Sequence, residues 1–520
     1  MTARTLMLQG TFSSAGKSLL VTALCRIFAR RGMRVAPFKS QNMSNNAAVC
    51  RCGAEIGRAQ AVQAAAAGVE PTSDMNPVLL KPEAGGRSHV VVDGRPWKTL
   101  PPRAYYEHKA ELWPRITAAI DRLRGSCELV IIEGAGSPAE LNLHGCDLAN
   151  MAVARYCRAP VLLAGDIDRG GVFAQLLGTL WLLPEDERAL VRGLIVNKFR
   201  GDRSLFDDGV TILEQRGGTP VLGVVPFLPS LAIPAEDSAD LDSATDSSPH
   251  TRRIDVAVVR LPHIANFDDF EPLADDPTVR LRYVHSTAAL GDPDAVILPG
   301  TKSTIADFEW MESQGLGHAI QRLAQRGTPI VGICGGYQML GQRIADPHGV
   351  ESPRAQIDGL GLLPGETVFE KEKATHQVTA RLLGGPGWLG RLVGESVQGY
   401  EIHMGHTTSS QPWLEILQRG GQPAAGGDGG VAGDGQIWGS YLHGLFANDL
   451  FRRAWLEAVS QARVGRSVNG RNGSPSKTTV VDVEPLATTA ARFQQSLDRL
   501  ADAVESALDM PRLEQIIWEN

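Results

Sequence analysis

Cys334 stands in Gly332-Ile333-Cys334-Gly335-Gly336, after Pro329-Ile330-Val331, which reads as the end of a buried strand, and before Tyr337 to Arg343, which reads as the start of a helix. A thiol on a tight strand-to-helix turn, with glycine two residues to either side, has the layout of a nucleophile elbow with sulfur in place of oxygen. The glycines let the backbone turn sharply while the side chain is held outward, and the N–H groups opening the helix favour the thiolate. Such a cysteine is set up to attack a carbonyl carbon. It needs a base, and His443 in Tyr441-Leu442-His443-Gly444, where a strand runs into a turn, is the candidate. Wide separation in sequence is ordinary for a Cys/His pair, which meets only in the fold.

A second group of residues has the chemistry of phosphate. Thr5 to Leu8 is a short apolar strand that enters Gly10-Thr11-Phe12-Ser13-Ser14-Ala15-Gly16-Lys17-Ser18 and then a helix over Leu19 to Arg30. In that arrangement the backbone from Gly10 and Thr11 to Gly16 cradles phosphates, Lys17 neutralises them and Ser18 can ligate Mg2+. The strict G-x-x-x-x-G-K-[ST] pattern wants glycine where Thr11 stands, so this loop is one residue longer. Lys39, at the tip of the strand Arg34 to Phe38, is in reach of the same phosphates and opens the polar run Ser40-Gln41-Asn42-Met43-Ser44. Glu133 ends the apolar strand Leu129 to Ile132 and is placed for Mg2+ beside the phosphate loop. Asp166 and Asp168 follow the strand Pro160 to Ala164 and can serve metal or substrate, although Asp- and Gly-rich turns also arise for conformational reasons. Asn197 and Lys198 follow the strand Gly193 to Val196.

These residues fall on strand tips, and the strands define the frame. Apolar runs near residues 5, 34, 129, 160, 193 and 221 alternate with helical stretches, which predicts a doubly wound parallel sheet with its ligands along one edge. A second α/β unit starts at Ile254 to Val259 and continues through Ala295 to Leu298 and Pro329 to Ile333. The expected fold class is therefore α/β, with two doubly wound domains: residues 1–235, a linker over 236–252 poor in hydrophobic period, residues 253–450, and a helical tail over 451–520. Apolar spacing of three and four over 486–516 predicts one or two helices docked on the second domain. The Gly- and Ala-laden stretch Glu415 to Gln436 and the basic, polar stretch Ala462 to Lys477 read as surface segments without packing.

Bulk properties bound the partners. A chain of 520 residues that is 43% hydrophobic can bury two or three ordinary cores. A net charge of -7 gives no general attraction to nucleic acid. The seven cysteines are odd in number and lack C-x-x-C spacing, which suits a reducing cytoplasm better than a disulfide or zinc scaffold. No apolar run approaches the roughly 20 residues of a membrane span and no charged-then-apolar leader precedes the first strand, so a soluble cytoplasmic protein is expected. Assembly into a homo-oligomer is compatible with this composition.

The elbow with the later Tyr-Leu-His-Gly resembles the class I glutamine amidotransferases, in which cysteine hydrolyses glutamine to release ammonia. That resemblance implies L-glutamine as a substrate and an oxyanion hole formed by backbone at Gly300, in Pro299-Gly300-Thr301-Lys302-Ser303, and by the N–H of Gly335. Many members carry glutamate two residues after the histidine. Here that place holds Leu445, so the third member is absent or comes from elsewhere, Glu401 being one candidate. This departure is similar to the cobyrinate-amidating branch. The long phosphate loop and Glu133-Gly134-Ala135-Gly136 resemble the dethiobiotin synthetase-like P-loop proteins, which implies ATP, a Mg2+ role for Glu133 and a base contact for Asn197.

Over almost the full length the order of these motifs, with Lys39 to Asn42, Asp166 to Gly171 and Tyr400 to Gly405, resembles the cobyric acid synthase family. The resemblance implies ATP- and glutamine-dependent amidation of adenosylcobyrinic acid a,c-diamide at its b, d, e and g side chains. The acceptor is then a corrinoid carboxylate, and Gln41 and Asn42 lie on the loop facing it. Cobyrinic acid a,c-diamide synthase shares both domains but matches less well over Gln41-Asn42-Met43-Ser44. A MinD-like ATPase switch with a degenerate amidotransferase module is the reading from another class. Such switches usually carry an extra lysine early in the phosphate loop, and Thr11 to Ala15 has none.

Overall fold

Continuous apolar runs, unlike alternating ones, mark strands covered on both faces, and the chain uses them to build two parallel sheets. The computed structural model describes residues 2–234, 253–409, 411–470 and 487–519, with backbone alone over 467–470. In the first half, the strands run in the spatial order Val221–Pro226, Val191–Phe199, Val161–Asp166, Arg4–Gly10, Leu129–Glu133 and Val35–Phe38, all parallel. In the second half the order is Val279–Val284, Ile254–Val259, Ala295–Leu298, Ile330–Ile333, Ile437–Ser440 and Gly430–Ala432, the last pairing antiparallel. The expected α/β frame of both halves is present. The predicted linker over 236–252 lies outside the described residues. No helix among the described residues is long and apolar enough to cross a membrane.

Register explains why distant residues meet. Ile333 pairs with Ser440 across two neighbouring parallel strands, so the chain leaves both strands at the same edge, one toward Cys334 and the other toward His443. In the first half the central strands likewise deliver Gly10, Glu133 and Asp166 to a common edge, as parallel sheets do at their carboxyl ends.

Two further sheets were not legible as apolar runs. One joins Gln41–Met43, Val78–Glu83, Arg87–Val92 and Arg95–Leu100; the other is built on the long antiparallel pair Gly365–Leu382 and Ser396–Ser409. The expected surface loop Glu415 to Gln436 instead contains short strands, Leu414–Arg419, Gln422–Pro423 and Gly427–Asp428 in this sheet and Gly430–Ala432 at the edge of the second parallel sheet, with Gly420, Gly421, Gly426 and Gly429 in the turns between them. Ala462 onward is also more ordered than its polarity suggests. It continues the helix Asp449–Gly470, where Arg463 and Arg466 pair with Asp294; residues 471–477 lie outside the described residues.

The halves meet across buried polar contacts. Glu55 of the first half is 1% exposed and pairs with Lys81 beside it and Lys373 of the second half. Burial alone would raise its proton affinity, but the two lysines hold the carboxyl below the usual carboxylate range. Arg58 reaches Asp268 at 3.0 Å, and Gln377 Nε2 donates to the Val49 carbonyl at 2.8 Å.

The terminal helix Thr489–Ala507 corrects one expectation: it docks on the first half. Leu497, Leu500 and Val504 share a core with Leu20, Leu24 and Phe28 of the helix Lys17–Arg30. Arg26–Asp498 at 2.8 Å and Arg30–Asp502 at 2.6 Å flank that seam. Apolar spacing shows that a helix has a face to bury; it does not name the partner. Leu500→Ala is expected to destabilise the protein by about 2–4 kcal/mol, read as a lower denaturant midpoint. An unchanged midpoint would contradict this docking.

Candidate active site

The strand Ile330–Ile333 is fully buried, and Cys334 terminates it with φ 52° and ψ -110°, a left-handed conformation that a side-chain-bearing residue adopts only under strain. Flanking glycines relieve what would otherwise be clashes at this corner. The Cys334 sulfur is buried, 7% exposed as a residue, and lies 3.6 Å from the Ile402 carbonyl oxygen. Gly335 opens the helix Gly335–Leu340, so its N–H has no acceptor within that helix and faces the elbow. Gly300 lies close by: a Cβ there would sit 3.0 Å from His443 Cε1 and 3.8 Å from the Cys334 Cβ. Both residues expected to form the oxyanion hole thus border the sulfur and imidazole. A cavity of about 600 Å³ opens onto Cys334, Gly335 and His443, and its far wall includes Lys81 and His89 of the first half.

His443 is 1% exposed, is held by reciprocal backbone bonds with Tyr400 and stacks on that ring at 5.1 Å. It contacts Cys334 as a hydrogen-bond partner. The third member is Asp269, which sequence reasoning missed. Its Oδ2 lies 2.7 Å from His443 Nδ1, and its Oδ1 accepts the Gly444 N–H at 2.8 Å. Glu401 does not orient the histidine; it is bound at 2.6 Å by Arg419, which reaches across the intervening strand Gly365–Leu382. Asp269 comes from the turn Phe267–Phe270, beyond the tip of the strand Ile254–Val259. The only signal in the sequence was the polar cluster Asn266-Phe267-Asp268-Asp269 near a strand tip on the catalytic edge.

Burial alone would lower the pKa of His443, yet the Asp269 carboxylate, aided by Cys334, pushes it up to about 10. Because that lies above the value of 6.5 for a free histidine, the stability gained from the pairing is complete below about pH 6.5 and is lost as pH rises through about 10. Asp269→Asn should therefore lower the melting temperature more at pH 7 than at pH 10.5, and should cut glutamine hydrolysis by about 10²–10⁴-fold. A pH-independent gap in melting temperature would contradict the ion pair.

At the other edge, Gly16 has φ 88°, and a Cβ there would fall 2.3 Å from Asn197 Nδ2, so only glycine fits. Lys17 Nζ donates to the carbonyls of Phe12, Ser13 and Gly136 at 2.9–3.1 Å, curling into the loop it would share with phosphates. Ser18 Oγ donates to Glu133 Oε1 at 2.8 Å, Lys39 Nζ lies 2.8 Å from the same oxygen, and Gln63 donates to Oε2. Thus Lys17, Ser18, Lys39 and Glu133 converge, with Gly10 packed under Lys17 and Thr11 bonded to Gln175. Asn197 Nδ2 donates to the Ala15 carbonyl at 2.9 Å, which braces the loop. Asp166 is paired with Lys198 at 2.9 Å and Asp168 with Arg200 at 2.7 Å, so both carboxylates at this edge are already neutralised. On the following loop, Gln41 accepts from the Tyr105 hydroxyl, whereas Asn42 is 2% exposed and turns inward to Gln60.

A Cys-His-Asp triad in one α/β half and a phosphate cradle in the other define a glutamine amidotransferase joined to a nucleotide-binding synthetase. Comparison with known proteins agrees: residues 255–451 match the CobB/CobQ-like glutamine amidotransferase domain and residues 6–240 the CobQ/CobB/MinD/ParA nucleotide binding domain. The cobyric acid synthase of Chloroflexus aurantiacus is 50% identical over 520 residues, covering 99% of this chain and 100% of that one. Those of Roseiflexus castenholzii and Dehalococcoides mccartyi (strain CBDB1) are 54% and 48% identical, covering 88% and 100% of this chain and 92% and 99% of theirs. The chain belongs to the cobyric acid synthase family. It is a glutamine-hydrolysing, amide-forming ligase of cobalamin biosynthesis.

Proposed function

We propose that the protein amidates adenosylcobyrinic acid a,c-diamide at its b, d, e and g carboxylates, with residues 253–450 supplying ammonia and residues 1–235 activating the acceptor. The observation that carries this reading is the Cys334–His443–Asp269 triad in the same chain as the Lys17–Ser18–Lys39–Glu133 cluster. In the rear half, His443 already holds the proton of the Cys334 thiol, and the Cys334 thiolate attacks the side-chain amide carbon of glutamine. The N–H of Gly335 and the backbone at Gly300 hold the oxyanion. His443 returns the proton to the departing nitrogen, ammonia leaves and a glutamyl thioester remains. Water, deprotonated by His443, then hydrolyses the thioester to glutamate.

In the front half, the acceptor carboxylate oxygen attacks the γ-phosphorus of ATP and ADP departs, giving an acyl phosphate. Lys17 and Lys39 balance the charge carried by the phosphoryl oxygens. Ammonia displaces phosphate at the acyl carbon and an amide results. The hydroxyl of Ser18 and the carboxylate of Glu133, 2.8 Å apart, are oxygen donors suited to Mg2+, which binds few protein groups and takes its remaining ligands from phosphates and water. That cation would supply further charge neutralisation at the phosphates. Asp166 and Asp168 act through Lys198 and Arg200 to shape this edge, and Gln41 and Asn42 shape the loop beside the acceptor.

Purified protein incubated with ATP, Mg2+, glutamine and adenosylcobyrinic acid a,c-diamide should give products whose mass falls slightly with each successive amidation, as –OH gives way to the lighter –NH2, until the four carboxylates are consumed. A product mass that never changes while glutamine is hydrolysed would contradict the acceptor assignment.

A further inference from the structure

Asn266 joins the two halves at the catalytic base. It is 3% exposed and sits in a left-handed turn, φ 51° and ψ 43°, directly before the Phe267–Phe270 turn that carries Asp269. Its Oδ1 accepts the Ala47 N–H at 2.9 Å, so the amide nitrogen is the end turned toward His443, 3.3 Å from Nε2. The next residue, Phe267, donates its N–H to Asn46 Oδ1 at 3.1 Å. Asn46 and Ala47 belong to the nucleotide-binding half, a few residues beyond Lys39 at the phosphate edge.

The chemistry of the imidazole gives this contact a consequence. Nδ1 is committed to Asp269, leaving Nε2 as the nitrogen that exchanges a proton with Cys334. An N–H donor aimed at Nε2 favours the neutral ring, whereas Asp269 favours the charged one. The other groups around the ring are Cys334, Tyr400 stacked on it, Asp268, and Arg58, which pairs with Asp268 at 3.0 Å and whose guanidinium lies 5.0 Å from the Tyr400 ring centre. Asn266 is neutral, and it is the group in this set whose orientation is fixed by backbone of the other half.

We propose that Asn266 is a positioning residue for the glutaminase base, and that the Asn46–Ala47 segment of the nucleotide-binding half holds its amide against His443. Displacement of the loop that starts at Lys39 then changes the readiness of His443, so glutamine hydrolysis follows the state of the phosphate edge. This rests on the assignment of glutamine hydrolysis to Cys334.

The test is the pH profile of kcat/KM for glutamine hydrolysis in wild type, Asn266→Asp, Asn266→Ala and Asn46→Ala. Aspartate keeps the shape and the acceptor for Ala47 but replaces the donor with a carboxylate oxygen, so the His443-linked limb should rise by about one pH unit or more. Alanine removes the donor together with the acceptor for Ala47, without adding a charge, and should raise the limb by about half a unit. Asn46→Ala should move it the same way by less. Limbs that coincide with wild type in both Asn266 variants, or an Asn46→Ala profile that only loses height, would overturn the proposal. If Asn266→Ala does not fold, the isosteric aspartate decides. Wild type that fails to hydrolyse glutamine, or Cys334→Ala that still does, would instead defeat the amidotransferase assignment itself.

Discussion

Cys334→Ala is expected to lower glutamine-dependent amidation by about 10⁴-fold or more, while amidation supplied with ammonium salt stays within about twofold of wild type. The large loss follows because no other group among the described residues stands at the elbow to form the thioester. The preserved activity follows from structure. Alanine pays the same cost as cysteine at φ 52° and loses the sulfur's contacts to the Ile402 carbonyl and His443, but it keeps the backbone bond from residue 334 to the Ser440 carbonyl at 2.9 Å. The elbow should therefore keep its shape, and the phosphate edge lies in a different sheet. Product mass with each nitrogen source reads the result. Loss of both activities would show that the two sites cannot be separated as described.

Lys17→Ala should give the converse, with amide formation falling by at least about 10²–10³-fold whichever nitrogen source is used. Lys17 is 3% exposed, and its ammonium draws three loop carbonyls inward. Alanine removes the charge that balances the phosphates and lets the loop open. Glutamate release should survive, because Cys334, His443 and Asp269 lie in the second half and are held there by contacts to Ile402, to one another and to Gly444. Glutamate and ADP measured in one reaction separate the outcomes. Unchanged ADP release would contradict the cradle.

How much of this could be read from residues alone follows from the range of each signal. The elbow and the phosphate loop are short windows in which glycine, a reactive side chain and flanking apolar strands all occur together, so Cys334 and Lys17 were legible. Glu133 was legible for the same reason, as a carboxylate on an apolar strand. Asp269 was not: its partner lies far along the chain, and an aspartate in a short turn has no period to mark it. Glu401 looked suitable by its neighbours, but whether a carboxylate reaches His443 or Arg419 depends on which face of a strand it occupies in the assembled sheet. The tail shows the same limit. Its spacing at Leu497, Leu500 and Val504 revealed a buried face, while the Arg26, Arg30 and Arg31 partners that direct it to the first half become visible only in the fold. The Gly-rich stretch after Glu415 misled because glycines between very short strands have the composition of a loop.

The central claim is that nitrogen freed at Cys334 reaches an acid activated at the phosphate edge within one protein. Glutamine labelled with 15N in its side-chain amide, supplied with ATP, Mg2+ and the corrinoid acid amid excess unlabelled ammonium, tests it most directly by product mass. The account predicts that each new amide carries 15N in excess of the bulk ammonium. Amides with the isotope ratio of the bulk ammonium would contradict it.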